Sequence, residues 1–262
     1  MKTNYYFLAT SLPKLQIGVP PDIDFQEFQT LLLENLNEGD YEKTRYIRWF
    51  YDIENIRRYW MKEPLDYWGN LEINDLEEAL LSKEEGDLPK YVYNFFDIHP
   101  SLDERLPLFP QLLVTYYADL EKKTNGFLKK YAQFERNLRL TLTAFRARKL
   151  GRDLAKELQF ENPEEDLIVQ LMAQKDSKTF IPPVEFEDIK GLLEGHYTSP
   201  LELQKALLEY RFEKIEEMVN FDEFSIDRIL AYIVQYIMCD KWMLYDSQKG
   251  SEILDTIVKE LT

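Results

Sequence analysis

Three long segments of the chain repeat apolar residues at every third or fourth position, which is the spacing of one face of an α-helix. In the clearest segment, the apolar stripe consists of Phe127, Tyr131, Phe134, Leu138, Leu142 and Phe145. Comparable stripes lie within residues 41–60 and 225–245. Strand-like alternation is scarce, and the one Asn-Gly pair is flanked by helical patterns instead of strands. The sequence therefore predicts an all-α fold, a single helical protein over residues 1–262.

Capping residues set the expected ends of the middle helix. Thr124 is suited to the N-cap position, and Gly151 is suited to the C-cap position because glycine readily adopts a left-handed conformation. A shorter helix is predicted just before it, over residues 111–121, and another strong helix is predicted over residues 201–219.

The first and middle stripes contain related polar signatures. Residues 52–58 are Asp-Ile-Glu-Asn-Ile-Arg-Arg, and residues 134–140 are Phe-Glu-Arg-Asn-Leu-Arg-Leu. The third stripe contains only a loose match over residues 239–244, where Asp240 replaces the asparagine. This pattern suggests three approximate repeats, residues 1–106, 107–198 and 199–262. The alternative is a chance similarity among amphipathic helices.

The acidic balance of the chain limits its partners. Its 32 Lys and Arg face 48 Asp and Glu, a formal net charge of −16. Such a charge repels phosphate backbones and anionic lipid, so we expect no nucleic-acid partner and no direct lipid binding. The longest apolar run, residues 229–239, is interrupted by Gln235 and has about half the length needed to cross a bilayer. A lone cysteine, Cys239, forms no internal disulfide, which favours a cytoplasmic protein.

Residue types for common catalytic and cofactor sites are missing. Two histidines and one cysteine offer no zinc cluster and no Cys-His nucleophile, and phosphate-binding and dinucleotide motifs are absent. Adjacent acids such as Glu164 and Glu165 are expected to be solvated, because neighbouring helix residues point in different directions. We therefore expect no enzyme, no cofactor, no metal and no small-molecule substrate. The alternative is an all-α enzyme that uses clustered carboxylates and magnesium, although no Asp-Asp-x-x-Asp motif is present.

Positive charge is concentrated in one helix. Between residues 127 and 152 stand eight cations and one acid, Glu135, a local charge of +7 that leaves −23 for the remainder of the chain. This basic segment either docks an acidic partner or pairs internally with the acidic helices. Asn and Arg near the middle of the helix suit the second interpretation, because both form hydrogen bonds between helices.

The candidate residues for a partner interface or for the core of the repeats come from the two signatures and from the end of the basic segment. They are Asn55, Arg57, Arg136, Asn137, Arg139, Arg146, Arg148 and Lys149.

Several of these stretches resemble known proteins. Residues 5–13 (Tyr-Tyr-Phe-Leu-Ala-Thr-Ser-Leu-Pro), 25–28 and 51–55 resemble an uncharacterised family encoded within bacterial V-type ATPase gene clusters. Residues 134–139 and 145–151 are similar to the repeated helix signature of the C-type subunit of V/A-type ATPases, which is called the d-type subunit in eukaryotes. The terminal copy departs from that signature, because Asp-Lys-Trp stands where Asn-Leu-Arg is expected.

The resemblance implies a noncatalytic, all-helical, funnel-shaped protein of three units related by pseudo-threefold symmetry. Such a protein sits between the central shaft, formed by the D and F subunits, and the membrane rotor ring, and it transmits torque between them. It is cytoplasmic and peripheral to the membrane through the ATPase complex. An assembly or regulatory factor of the same ATPase is the alternative that shares the fold.

Overall fold

The computed structural model describes residues 4–81, 86–175, 177, 179–196, 199–219 and 223–260, with side chains described as far as Tyr245. It is 73% helical, and no strand occurs among the described residues, so the all-α prediction is confirmed. The predicted repeat boundary at residue 198 lies outside the described residues.

The described residues form thirteen α-helices and one 3₁₀ helix. The α-helices in chain order are α1 (Tyr6–Ser11), α2 (Phe25–Asn35), α3 (Glu38–Met61), α4 (Ile73–Leu81), α5 (Lys90–Ile98), α6 (Leu102–Leu108), α7 (Pro110–Lys123), α8 (Gly126–Leu150), α9 (Leu154–Glu157), α10 (Asp166–Ala173), α11 (Lys190–Gly195), α12 (Pro200–Val219) and α13 (Ile226–Glu260). The 3₁₀ helix, Val184–Ile189, lies between α10 and α11.

The two ends of α8 differ in how well the sequence predicted them. Gly151 is the C-cap, with a left-handed φ of 65°, as predicted. The N-cap prediction is wrong: Asn125 precedes the helix, and Thr124 is the C-cap residue of α7. The Thr124 hydroxyl donates to the Leu120 carbonyl at 2.6 Å, so it is engaged with the preceding helix.

Contacts divide the chain into two compact units. One comprises Met1–Thr44 and His196–Thr262, and the other comprises Arg45–Gly195. The three repeats inferred from sequence stay a prediction.

The first unit is organised around α13. Every residue from 229 to 239 is buried, including Cys239, and burial raises the pKa of that thiol to about 11. The Phe28 ring of α2 stacks on Tyr236 at 4.7 Å, and the Tyr236 hydroxyl donates to the Ile23 carbonyl at 2.8 Å. Apolar burial, this ring contact and this hydrogen bond hold the N-terminal segment on α13. No membrane-crossing helix is found in the described part of the chain.

The second unit contains the α7–α8 hairpin and a small core beneath the C-terminal half of α8. That core consists of Leu140, Ala144, Leu158, Leu167, Ile168 and Leu171, with Leu154, Met172 and Phe180 packed against it. Because these residues come from α8, α9, α10 and the segments that follow, burying them fixes the short helices beside the long one.

The loop between α3 and α4 is held by side chains of α3. The Asp52 carboxylate is fully buried and accepts hydrogen bonds from the backbone N–H groups of Asn70 and Leu71, at 2.9 and 3.0 Å. Arg48 donates to the carbonyl oxygens of Trp68 and Gly69. These bonds replace water for the loop backbone around the buried residues Trp68 and Gly69.

Gly69 lies against the Asp52 carboxylate. A Cβ at residue 69 would stand 2.5 Å from Asp52 Oδ1 and 3.3 Å from Asn55 Nδ2. Asp52 is not free to move away, because it is fixed by its hydrogen bonds to the loop, and Asn55 is fixed by its own bonds to Asp66. Only glycine therefore fits at this position.

We expect Gly69→Ala to lower the free energy of unfolding by about 2 kcal/mol, because the added methyl group overpacks a site whose neighbours are hydrogen-bonded. Urea denaturation followed by circular dichroism measures the change. Gly191→Ala in α11 is the matched control, since a Cβ there meets no heavy atom within 4 Å. That control should be neutral or should gain up to about 1 kcal/mol. Equal stability of the two variants would contradict the close approach of Gly69 to Asp52.

Candidate functional site

The basic helix α8 divides into three parts with different surroundings. Lys129 and Lys130 in its first turns are exposed. Arg136 and Arg139 in its middle face acidic residues, whereas Arg146, Arg148 and Lys149 lie near its C-terminal end. The surroundings of each part indicate whether its cations pair internally or are open to an acidic partner.

Arg136 is held by two glutamates. Its Nη2 lies 2.6 Å from Glu161 Oε2, and its Nη1 lies 2.6 Å from Glu165 Oε1. Glu165, the N-cap residue of α10, also accepts from Arg136 Nη2 through Oε2 at 2.7 Å, so the pair is bidentate. The hydrogen bond to Glu165 and the contacts with Glu161 raise the pKa of Arg136 above its ordinary value, although burial opposes the shift.

Arg139 binds the other oxygen of Glu161. Its Nη2 lies 2.6 Å from Glu161 Oε1, and its guanidinium stands 5.9 Å from the centre of the Tyr117 ring. The Glu161 side chain is 3% exposed, so a buried carboxylate is shared by two arginines from α8. Arg136 and Arg139 therefore join α8 to the segment between α9 and α10, which is the internal pairing that the sequence allowed.

The expectation that Glu165 is solvated is wrong. Glu165 is half-buried and paired with Arg136, while its neighbour Glu164 is exposed. The partner of Glu165 lies 29 residues earlier in the chain, so its pairing depends on tertiary structure. Sequence reasoning missed Glu161, for which the only signal was its place in an acidic stretch that follows a basic helix.

Asn137 and Asn55 occupy equivalent positions of the two signatures but have different partners. Asn137 donates through Nδ2 to Glu185 Oε2 of the 3₁₀ helix at 3.2 Å. Asn55 is buried, and its amide exchanges two hydrogen bonds with the backbone of Asp66, at 2.7 and 2.8 Å. Asn137 thus contacts another helix, and Asn55 fixes the loop after its own helix.

Arg57 and Arg139 also differ. Arg57 pairs with Glu54 one turn earlier, at 3.2 Å, and its guanidinium lies 5.9 Å from the Phe109 ring centre. The polar partners of Asn55 and Arg57 are thus near α3, whereas those of Arg136, Asn137 and Arg139 lie after α8. The candidate residues belong to separate clusters.

The C-terminal end of α8 lies between two clefts of about 320 Å³ each. Arg148 and Phe180 line both clefts. Among the residues that the structure describes, the two clefts are lined by five cations and two acids, namely Arg148, Lys149, Arg152, Lys175 and Lys190 against Asp153 and Glu194. The clefts are therefore positive in a chain whose net charge is −16.

Arg148 and Phe180, which line both clefts, form a ridge between them, and a short series of contacts fixes this ridge. Arg148 Nη1 donates to the Gln174 carbonyl at 3.2 Å, and Gln174 Oε1 accepts from the Ile181 N–H at 2.9 Å. The Phe180 ring meets Phe145 edge to face, with ring centres 5.6 Å apart. The ridge is thus built on the core beneath α8.

The cations around the clefts are open to solvent. Of the cations that line the clefts, Lys149, Arg152, Lys175 and Lys190 are exposed. Arg146 is also exposed and lies two residues before Arg148 on α8, but it is not part of either cleft lining. The Arg152 ion pair with Glu157 is long, at 3.6 Å, with the arginine side chain 61% exposed. We call these five residues and Arg148 the basic face. A face of this charge attracts an acidic surface and orients it.

Across the residues that the structure describes, no group of three or more His, Cys, Asp and Glu side chains is placed to hold a metal ion.

We expect Glu161→Gln to lower the free energy of unfolding by about 2 to 3 kcal/mol, because it removes a charge that two partly buried arginines share. Glu157→Gln is the control, since it removes only the long, exposed pair with Arg152 and should change stability by less than about 0.5 kcal/mol. Chemical denaturation of both variants measures the difference. Similar losses in both would mean that the Glu161 pairs do not hold α8.

Comparison with known proteins gives relatives over the whole length of the chain. An uncharacterized protein of Chlamydia muridarum is 29% identical over 259 residues, which cover 97% of each chain. One of Chlamydia pneumoniae is 29% identical over 263 residues, which cover 99% of each chain. No solved structure matches. The model of the family described as "Protein of unknown function (DUF2764)" matches residues 1–262, and the chain belongs to this family.

Proposed function

We propose that this protein is a noncatalytic central-stalk (rotor) subunit of a V-type ATPase. In this role it resembles the C-type subunit (d-type in eukaryotes), and it couples the shaft formed by the D and F subunits to the ion-translocating membrane rotor ring. The observation that carries the proposal is the basic face, a positive docking surface at the end of a helix whose middle is fixed by ion pairs. The sequence resemblance supplies the identity of the partners.

A rotor subunit must transmit torque without bending. The middle of α8 is suited to this, because Arg136 binds Glu165 through two parallel hydrogen bonds and shares Glu161 with Arg139. Charge-assisted and bidentate pairs restrict orientation more strongly than single neutral hydrogen bonds. The loop after α3 is fixed in a comparable way by Asp52 and Asn55.

A docking surface must also select its partner. The basic face stands out against the strongly negative charge of the remaining chain, so it favours an acidic partner and gives the contact a preferred orientation. Most of its cations are exposed, so the contact should weaken as ionic strength rises.

The finer architecture is part of the same proposal. The longest described helix in the repeats 1–106, 107–198 and 199–262 is α3 with 24 residues, α8 with 25 and α13 with 35, respectively, and the third repeat also holds the 20-residue α12. At least one long helix per repeat suits a three-unit, funnel-like arrangement of the kind that the resemblance implies.

We expect Arg146→Glu with Arg148→Glu to reduce co-purification with the D and F subunits by at least about tenfold, because charge reversal turns attraction into repulsion. The matched control is Lys129→Glu with Lys130→Glu, which makes the same charge change at the exposed, opposite end of α8. The unaltered chain and both variants are co-expressed with D and F from the same genome, and their folding is compared by circular dichroism. Unchanged co-purification of the folded Arg146 and Arg148 variant would remove the basic face from the shaft interface.

The rotor position has its own test. In an electron cryomicroscopy map of the intact ATPase, we expect density for this chain on the central axis between shaft and ring. Density at the periphery would contradict the rotor role and favour an assembly or regulatory factor, as would a chain that joins only incomplete complexes.

A further inference from the structure

A separate cavity, of about 540 Å³, lies within the first unit between the N-terminal segment and helices α12 and α13. Its volume is within the range of small-molecule sites. The N-terminal segment is fixed over it, because the Tyr232 hydroxyl donates to the Pro13 carbonyl at 2.8 Å. One part of the lining is apolar and consists of Leu12, Leu15, Phe212 and Ile229.

The other part of the lining is polar and carries net positive charge. Arg228 Nη1 lies 2.6 Å from Glu216 Oε1, and Gln235 Nε2 donates to Glu216 Oε2 at 3.1 Å. Both oxygens of Glu216 are thus engaged. Lys14, an exposed lysine, also lines the cavity, so two cations face one carboxylate that is already bound.

Gln235 is the polar residue that interrupts the apolar run of α13, and it is 2% exposed. Its Nε2 also donates to the Phe212 carbonyl at 3.3 Å, and two acceptors around this atom identify it as the amide nitrogen. The other amide atom, Oε1, accepts no hydrogen bond from any residue that the structure describes. Gln235 lines the cavity, and Oε1 is accessible there, so it can accept a hydrogen bond from water or from a ligand. This acceptor therefore suits a ligand that carries a donor.

We propose that this cavity binds a small amphiphilic carboxylate with a hydroxyl group near its carboxyl end. The hydrocarbon body lies against Leu12, Leu15 and Phe212, the carboxylate faces Arg228 and Lys14, and the hydroxyl donates to Gln235 Oε1. The site is separate from the basic face, and it does not depend on the proposed rotor role.

The test compares two probes, 3-hydroxydecanoate and decanoate, by titration calorimetry on the full chain below their critical micelle concentrations. We expect saturable one-site binding of both, with 3-hydroxydecanoate bound at least about fivefold more tightly, because decanoate leaves Oε1 without a donor. Gln235→Leu should abolish this preference. A role of Gln235 in helix packing alone would lower stability without changing the ratio of the two affinities.

Variants at the two ends of the cavity locate the site. Lys14→Gln should weaken binding of both probes several-fold, whereas Lys205→Gln, an exposed lysine of α12 outside the lining, should leave it unchanged. Leu12→Trp should block binding by filling the apolar end. The proposal is overturned if the unaltered chain binds neither probe, or if it binds both equally. Binding that persists in Lys14→Gln and Leu12→Trp would overturn it as well. None of these measurements involves another ATPase component, so their failure is distinguishable from failure of the rotor proposal.

Discussion

Where part of a loop is buried, its backbone N–H and C=O groups need hydrogen-bond partners in place of water. Asp52 and Asn55 are such partners for the loop after α3, where they bind backbone groups of Asp66, Asn70 and Leu71. Burial raises the pKa of Asp52, and the N–H groups of the loop oppose that shift. The burial of Trp68 and the close packing of Gly69 against Asp52 depend on this arrangement.

Ion pairing divides the basic helix α8 into two parts with different surroundings. In the middle of α8, Arg136 and Arg139 form ion pairs with Glu161 and Glu165. These pairs hold the segment that leads into α10. At the C-terminal end of α8, cations outnumber acids among the described residues that line the two clefts, and most of these cations are exposed. The basic segment is therefore structural in its middle and suited to binding at its C-terminal end.

Local signals predicted α3, α8 and α12 well, whereas α13 continues 15 residues beyond the predicted end at residue 245. The stripe within residues 41–60 corresponds to α3 (Glu38–Met61), and the predicted helix over 201–219 corresponds to α12 (Pro200–Val219). Gly151 ends α8 in a left-handed conformation, which glycine adopts without a steric penalty, so the end was predictable from the residue type. The pairing of Glu161 and Glu165 was not predictable in this way. The acids that bind Arg136 lie 25 and 29 residues later in the chain. Helical periodicity describes one helix at a time, so it does not predict which later residue packs against Arg136.

The two signatures have different polar contacts but share one buried aliphatic position. Asn55 and Asn137 have unlike partners, and so do Arg57 and Arg139. The aliphatic residue after each asparagine, however, is fully buried in both helices: Ile56 in α3 and Leu138 in α8 are each 0% exposed. A buried aliphatic anchor in the middle of a long helix fixes which face points inward, and the polar residues beside it then bind whatever the following loop presents. If the two helices are copies of one ancestral unit, what they have kept is the anchor, while the polar contacts have adapted to different loops.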